Sequence, residues 1–436
     1  MKRRDGRRVS AGTVVVLVMA CLSIAATALI WLRLSSGRQP DRTRHQASAA
    51  DILEQETAEG RGTPPPSAVP DSSGDRNGSG AAGDSAPGTE IPAAQEYSFT
   101  LTAAGTVAVE GEVRKNSWLS DLKIYDLTDI MMLLKNEMRS DLNIAFLENL
   151  ISDDLKVSDT VMTGNEADML KAGGFNMAAC GFSKAWAGEE AGISDTRMNL
   201  LERGIKPAGI LDDPGQDAVT VSELHGVRYT VLQYTDTIAS GTRKAMNKKG
   251  LSGMVPDADP GKIAADITMA RSRGAQAVIV LISWGKVGKA PDKEQKARAQ
   301  AIADAGADLI IGSGSRIPQG IDILAAVRAD GTTADVPCVW SLGTVLSAER
   351  GNARRVAGYL FHVTLAVNRA GHTECRSMEY TPIYTWKYKQ DGRYYYRCIP
   401  SNRDTPDGMD GDQTKFMKKA ADAVLEVMKG APAAER

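Results

Sequence analysis

A chain of 436 residues has room for one large or two medium domains, and 42% apolar with 24% charged residues is the composition of a globular protein. A net charge of −2 excludes an extended basic surface for nucleic acid, because such proteins gather Lys and Arg on one face or in one block. With only four histidines, His45, His225, His362 and His372, the chain is also poorly supplied with metal ligands.

The one basic block opens the chain. Lys2, Arg3, Arg4, Arg7 and Arg8 precede an uncharged run from Ala11 to Leu32. At about 1.5 Å per helical residue, that run spans roughly the 30 Å hydrocarbon core of a bilayer. The pattern predicts residues 1–10 in the cytoplasm and a transmembrane helix over 11–32. Everything after it is expected outside, which makes this a single-pass cell-membrane protein with an extracellular C-terminal domain. Arg33, Arg38, Arg42 and Arg44 behind the span weaken the charge asymmetry. A cleaved signal peptide with Ala26-Thr27-Ala28 as its cleavage site is the alternative, though the apolar run is longer than an ordinary signal core. Residues 33–95, rich in Gly, Pro, Ser, Ala and Asp, lack the apolar surface to offset ordering. They read as a disordered linker with a root-mean-square reach of roughly 45 Å.

The folded part is expected over 96–436. Tyr97 to Val109 has the β-branched and aromatic content of a strand, and Leu142 to Leu147, Val227 to Tyr234, Ala277 to Ile282, Asp308 to Ile311, Val336 to Trp340 and Gly358 to Leu365 are similar runs bounded by turn or polar residues. Helical spacing joins Ile130, Leu133, Leu134 and Met138. Asn165 reads as the N-cap of a helix over 166–171 closed by Gly173, and Asp292 with Gln295 reads as a capping box for a helix stopping at Gly306. A last helix, Thr414 to Lys429, puts Phe416, Ala420, Val424, Leu425 and Met428 on one stripe. Strands alternating with helices predict α/β layering.

Cys21 lies inside the apolar span. Of Cys180, Cys338, Cys375 and Cys398, the last two could close a bridge across a hairpin-like segment in an oxidising exterior, free buried thiols being the alternative. No Cys/His spacing typical of metal sites occurs.

From Phe99 to about Thr364 the chain resembles the bacterial capsule-synthesis family typified by CapA proteins of poly-γ-glutamate production. That family carries Gly-Asp, Asn-Leu-Glu, Asn-Asn-His, His-Trp-Gly, His-x-His and Ser-Leu-Gly-Asn-Phe in this order. The matching stretches here are Gly105-Thr106, Phe146-Leu147-Glu148, Phe182-Ser183-Lys184, Ser283-Trp284-Gly285, Gly314-Ser315-Arg316 and Ser341-Leu342-Gly343-Thr344-Val345. The frame is kept on both sides of the changes. Gly174-Phe175-Asn176 and Gly192-Ile193-Ser194-Asp195-Thr196 flank Lys184 without a gap, and Ala305 to Gly312 follows the strand before the His-x-His loop. The resemblance implies a four-layer α-β-β-α sandwich like that of calcineurin-like metallophosphoesterases. It also implies a role in capsule or cell-envelope polymer metabolism.

The polar signature positions are largely replaced, with Glu148 retained. A binuclear centre needs several His and carboxylate ligands from different strand ends, so the expectation is a protein without metal, cofactor or the family's catalysis. Lys184 and Arg316 stand at family histidine positions. Together with Glu148, Ser183, Ser283, Trp284, Ser313 and Ser315 they form the candidate ligand site, suited to phosphate, a carboxylate or an anionic polymer. Pairing of Lys184 or Arg316 with Glu148 or their pointing into solvent, and packing for Trp284, are the structural alternatives. The functional reading is a binding or scaffolding component working with capsule or cell-envelope synthesis proteins. The alternatives are a divergent metal-dependent hydrolase or transferase using Glu148, and a structural partner of a membrane complex. Gly312-Ser313-Gly314-Ser315 is a weak nucleophile-loop pattern with no supporting histidine.

Overall fold

The computed structural model describes residues 97–368 and 370–436, so the predicted transmembrane helix over 11–32 and linker over 33–95 lie outside the described residues. Among the described residues no helix is long and apolar enough to cross a membrane. In chain order the strands of the two larger sheets are β1 (Tyr97–Val107), β2 (Leu142–Leu147), β3 (Met177–Ala179), β4 (Lys206–Ala208), β5 (Ser222–Leu224), β6 (Val227–Thr235), β7 (Ala277–Ser283), β8 (Leu309–Ser313), β9 (Ile321–Val327), β10 (Thr333–Val339), β11 (Thr344–Leu346), β12 (Ala357–Val367), β13 (Thr373–Gln390), β14 (Arg393–Pro400) and β15 (Ala434–Glu435). The longer helices are α1 (Gly164–Ala172), α2 (Glu189–Glu202), α3 (Ser240–Lys249), α4 (Pro260–Ser272), α5 (Lys293–Ala305) and α6 (Gly411–Met428).

These strands form two principal sheets. The nine-stranded sheet runs β14-β13-β12-β1-β2-β3-β4, with β11 beside β1 and β15 beside β13; the six-stranded sheet runs β9-β10-β8-β7-β6-β5. Period-two alternation turns Phe99, Leu101, Ile144 and Phe361 of the first sheet toward Tyr229, Ile279, Leu281 and Ile311 of the second, making one inner core. The opposite face of the first sheet offers Ala104, Ala145 and Leu147 to Leu170 of α1 and to Ile193 and Leu200 of α2. Likewise Val278, Val280 and Ile310 of the second sheet meet Ile263 and Ile267 of α4 and Ile302 of α5. The result is a mixed α/β fold in which helices lie on the outer faces of two facing sheets. Every residue of β7 is buried, as a central parallel strand covered on both faces requires.

Some boundaries differ from the sequence reading. The 128–138 region is not an α-helix. Its backbone closes i→i+3 bonds, Leu134 N–H to Met131 O and Lys135 N–H to Met132 O, and forms two 3₁₀ turns. The apolar spacing is real, since Ile130, Leu134 and Met138 are buried, but Leu133 faces solvent. Helix α1 is capped by Thr163 rather than Asn165, because Thr163 and Glu166 form a reciprocal capping box. At α5 only the forward half forms: Asp292 accepts from Gln295 N–H while the Gln295 amide nitrogen stays buried without a partner. Helix α6 starts at Gly411, three residues before Thr414, because Asp410 and Gln413 make its capping box. Cys180, Cys338, Cys375 and Cys398 are free. Cys375 pairs in register with Leu365, whereas Cys398 lies opposite Thr385, so the two thiols occupy different parts of the long β13 ladder.

Candidate functional site

Strands β1, β2 and β3 are mutually parallel, as are β6, β7 and β8, so their carboxyl ends gather and the loops after them are brought together. At Gly105 the β1 to β2 register slips by one residue. A Cβ there would lie 2.2 Å from the Gly343 carbonyl oxygen, so only glycine allows this bulge. The bulge presents Thr106, whose N–H donates to the same carbonyl at 2.9 Å. Its hydroxyl lies 3.1 Å from both Glu148 Oε1 and Ser313 Oγ, linking β1, the end of β2 and the end of β8.

Arg316 completes this group. Its Nε donates to Glu148 Oε2 at 3.0 Å and its Nη2 to the same oxygen at 2.5 Å, while Nη1 reaches Glu110 Oε1 at 3.4 Å. The backbone at Arg316 is left-handed, φ 54°, an uncommon state for a side-chain-bearing residue. Thr344 steadies it by donating its hydroxyl to the Arg316 carbonyl. Burial alone would lower the Arg316 pKa, but the carboxylates of Glu148 and Glu110 outweigh it and raise the value above that of an ordinary arginine. Glu110 is held in turn by the Ala348 N–H and the Ser347 hydroxyl.

The candidate residues therefore separate. Glu148 and Arg316 meet, as the pairing alternative has it, and two carboxylates face one guanidinium in this cluster. Lys184 and Ser183 are exposed in the turn after β3, and Lys184 has no ion-pair partner among the described residues. Two cations do not converge here in the contacts the chain makes. Trp284 is fully buried; its indole N–H donates to Trp340 O at 2.9 Å and the two rings stack. Gly312 makes room for that indole, since a Cβ there would lie 2.3 Å from Trp284 Nε1. Trp284 thus packs the loop and is closed to a ligand. Ser283, Ser313 and Ser315 are buried as well, with Ser315 donating to Ile317 O and its oxygen 2.9 Å from Ser341 Oγ. Phe182, at the family asparagine, is in the core. Glu110 and the Gln233 side chain, which bridges Gly181 N–H and O, escaped the sequence reading because neither belongs to a spaced motif.

Two of the described histidines have partners of their own away from this cluster. His225 Nε2 is 2.8 Å from Asp141 Oδ1 in an exposed pair, and His362 is buried between the hydroxyls of Thr102 and Thr381. Among the described residues no group of three or more His, Cys, Asp or Glu side chains is placed to hold a metal ion. The donors in this cluster, hydroxyls and two carboxylates already held by one guanidinium, do not fit the metal pair that the family resemblance implies.

Comparison with known proteins is consistent with the sequence motifs. The description "Bacterial capsule synthesis protein PGA_cap" matches residues 82–349. The capsule biosynthesis protein CapA of Bacillus anthracis is 30% identical over 115 residues, 24% of this chain and 26% of that protein. The PGA biosynthesis protein CapA of Bacillus subtilis (strain 168) is 28% identical over 135 residues, 30% of this chain and 34% of that protein. The matched stretches thus span about a quarter to a third of these relatives. Among solved structures, the NAD nucleotidase of Haemophilus influenzae is 11% identical, with 78% of this chain and 64% of that chain covered and a TM-score of 0.39. The calcineurin-like phosphoesterase YfkN of Bacillus subtilis is 12% identical, with 76% and 99% covered and a TM-score of 0.32.

Proposed function

We propose, from the premise that this chain belongs to the bacterial capsule synthesis family PGA_cap, that it is a membrane-anchored, outward-facing component of capsule or cell-envelope polymer metabolism that acts by binding or scaffolding. Metal-dependent hydrolysis is not part of this reading. The observation that carries it is the Arg316 guanidinium on Glu148, the carboxylate retained from the signature. A divalent cation drawn to Glu148 would meet a fixed positive charge within hydrogen-bond distance of its ligand, and the neighbouring hydroxyls of Thr106 and Ser313 are weak donors for it. The ion pair thus supplies internally the charge balance that a metal supplies to a carboxylate site. Anchoring rests on the basic flank and the apolar run Ala11 to Leu32.

The test is metal analysis of the purified full chain after dialysis, with phosphatase and polymer-cleavage assays in added Mn. The expected result is substoichiometric metal and no hydrolysis; stoichiometric Mn, Fe or Zn with turnover overturns the reading. Membrane fractionation with protease accessibility tests the anchor, which a soluble mature form beginning near Leu29 or Asp51 would exclude.

A further inference from the structure

A cleft of about 430 Å³ opens between the β13–β14 hairpin and the segment 113–130. That volume lies within the range of small-ligand sites. The hairpin follows residue 349, where the family match ends, so the wall that carries the aromatic residues lies outside the matched span while the facing wall lies inside it. We propose that it binds a neutral saccharide.

The lining decides the ligand class. Tyr388 and Tyr395 sit opposite each other across the hairpin, their rings 5.8 Å apart, and Tyr388 continues onto Trp386 at 4.6 Å. Both tyrosines are half-buried, giving a stiff aromatic platform whose remaining surface suits the C–H face of a sugar ring. Tyr396 and Arg397, which also line the cleft, each carry a buried polar atom, Oη and Nε, with no hydrogen-bond partner among the described residues. Buried groups of this kind are usually satisfied in native proteins. On the other wall, Asp126 and Asp129 supply acceptors: Asp126 spends Oδ1 on Thr128, and the exposed Asp129 carboxylate makes no hydrogen bond.

A ligand matching this set must both donate and accept hydrogen bonds while offering an apolar face. Sugar hydroxyls and ring C–H groups do all three. A polyanion would meet two carboxylates against one guanidinium that already lies over the Tyr388 ring at 5.3 Å. A purely apolar ligand would leave the polar atoms unpaired. The inference stands apart from the metal-site reading, because it uses none of the residues at the strand ends.

The test is calorimetric titration of the full chain with short neutral oligosaccharides of glucose and of N-acetylglucosamine, beside poly-γ-glutamate. Saturable binding of at least one neutral oligosaccharide is expected, weakened about tenfold in Tyr395→Ala through loss of the aromatic contact. Asp129→Asn, at an exposed position, should weaken it severalfold with an unchanged thermal transition, and this variant decides the matter if Tyr395→Ala does not fold. No binding of any neutral oligosaccharide, wild-type affinity in the folded variants, or Tyr395-dependent binding of poly-γ-glutamate alone would each overturn the proposal.

Discussion

Arg114 and Arg316 each meet a glutamate, at 2.7 Å and 2.5 Å, yet the two pairs do different things. Arg114 is 7% exposed and Glu166 not at all, and the remaining donors and acceptors of both are filled: Arg114 donates to the Ser158 and Val109 carbonyls, and Glu166 accepts from Thr163 N–H at the start of α1. That pair locks the segment after β1 to the first turn of a helix. Arg316 and Glu148 are 28% and 13% exposed and lie at the strand ends where the family resemblance puts metal chemistry. Equal chemistry at different depth gives a framework bond in one region and a partly solvated ion pair at the strand ends in the other.

Breaking the deeper pair should have the largest effect. Arg114→Ala leaves Glu166 buried without its cation, and the expected loss is about 3–5 kcal/mol of unfolding free energy by urea denaturation. A loss no greater than that of an exposed substitution would erase the contrast drawn above.

His362 sharpens the comparison as a buried group whose ring nitrogens meet the neutral hydroxyls of Thr102 and Thr381 rather than a carboxylate. Burial, with smaller contributions from Arg436 and Arg403, pushes its pKa from 6.5 down to about 3. Between these values the unfolded chain binds a proton that the folded chain does not. Its contribution to stability is therefore intact above pH 6.5 and lost as pH falls toward 3, at about 1.4 kcal/mol per pH unit. Denaturation measured from pH 7 to pH 4 should show this slope, flattened in His362→Asn; an unchanged slope would place the acid sensitivity elsewhere.

The strand-end pair should matter less to stability. Arg316→Ala is expected to cost about 1 kcal/mol, because water reaches both partners. It also leaves Glu148 and Glu110 facing each other, so calorimetry should detect weak Mn binding that the parent chain lacks; no gain would show that charge at Arg316 is not what keeps a cation away. Smallest of all, Lys184→Ala should alter stability by less than about 0.5 kcal/mol, as exposed substitutions do. A larger loss would reveal a partner for Lys184 absent from these contacts.

Local sequence was enough to place β2 at Leu142–Leu147, to start β6 and β7 at Val227 and Ala277, and to stop α5 at Gly306, because strand alternation, caps and left-handed glycines act over a few residues. It failed over 128–138, where the spacing of buried residues fits both α and 3₁₀ turns and packing against β14 accompanies the tighter form. That the chain holds only four histidines is likewise a property of the string. Three things were decided only in three dimensions. Arg316 and Glu148 lie 168 positions apart, and their meeting depends on the loop after β8 being packed against the end of β2. Glu110 joins them from a loop with no motif, and the free state of Cys375 and Cys398 follows from strand register rather than from cysteine spacing. Secondary structure is selected by neighbours along the chain, whereas charge partners and thiol distances are set by how finished sheets pack, which no short window of sequence contains.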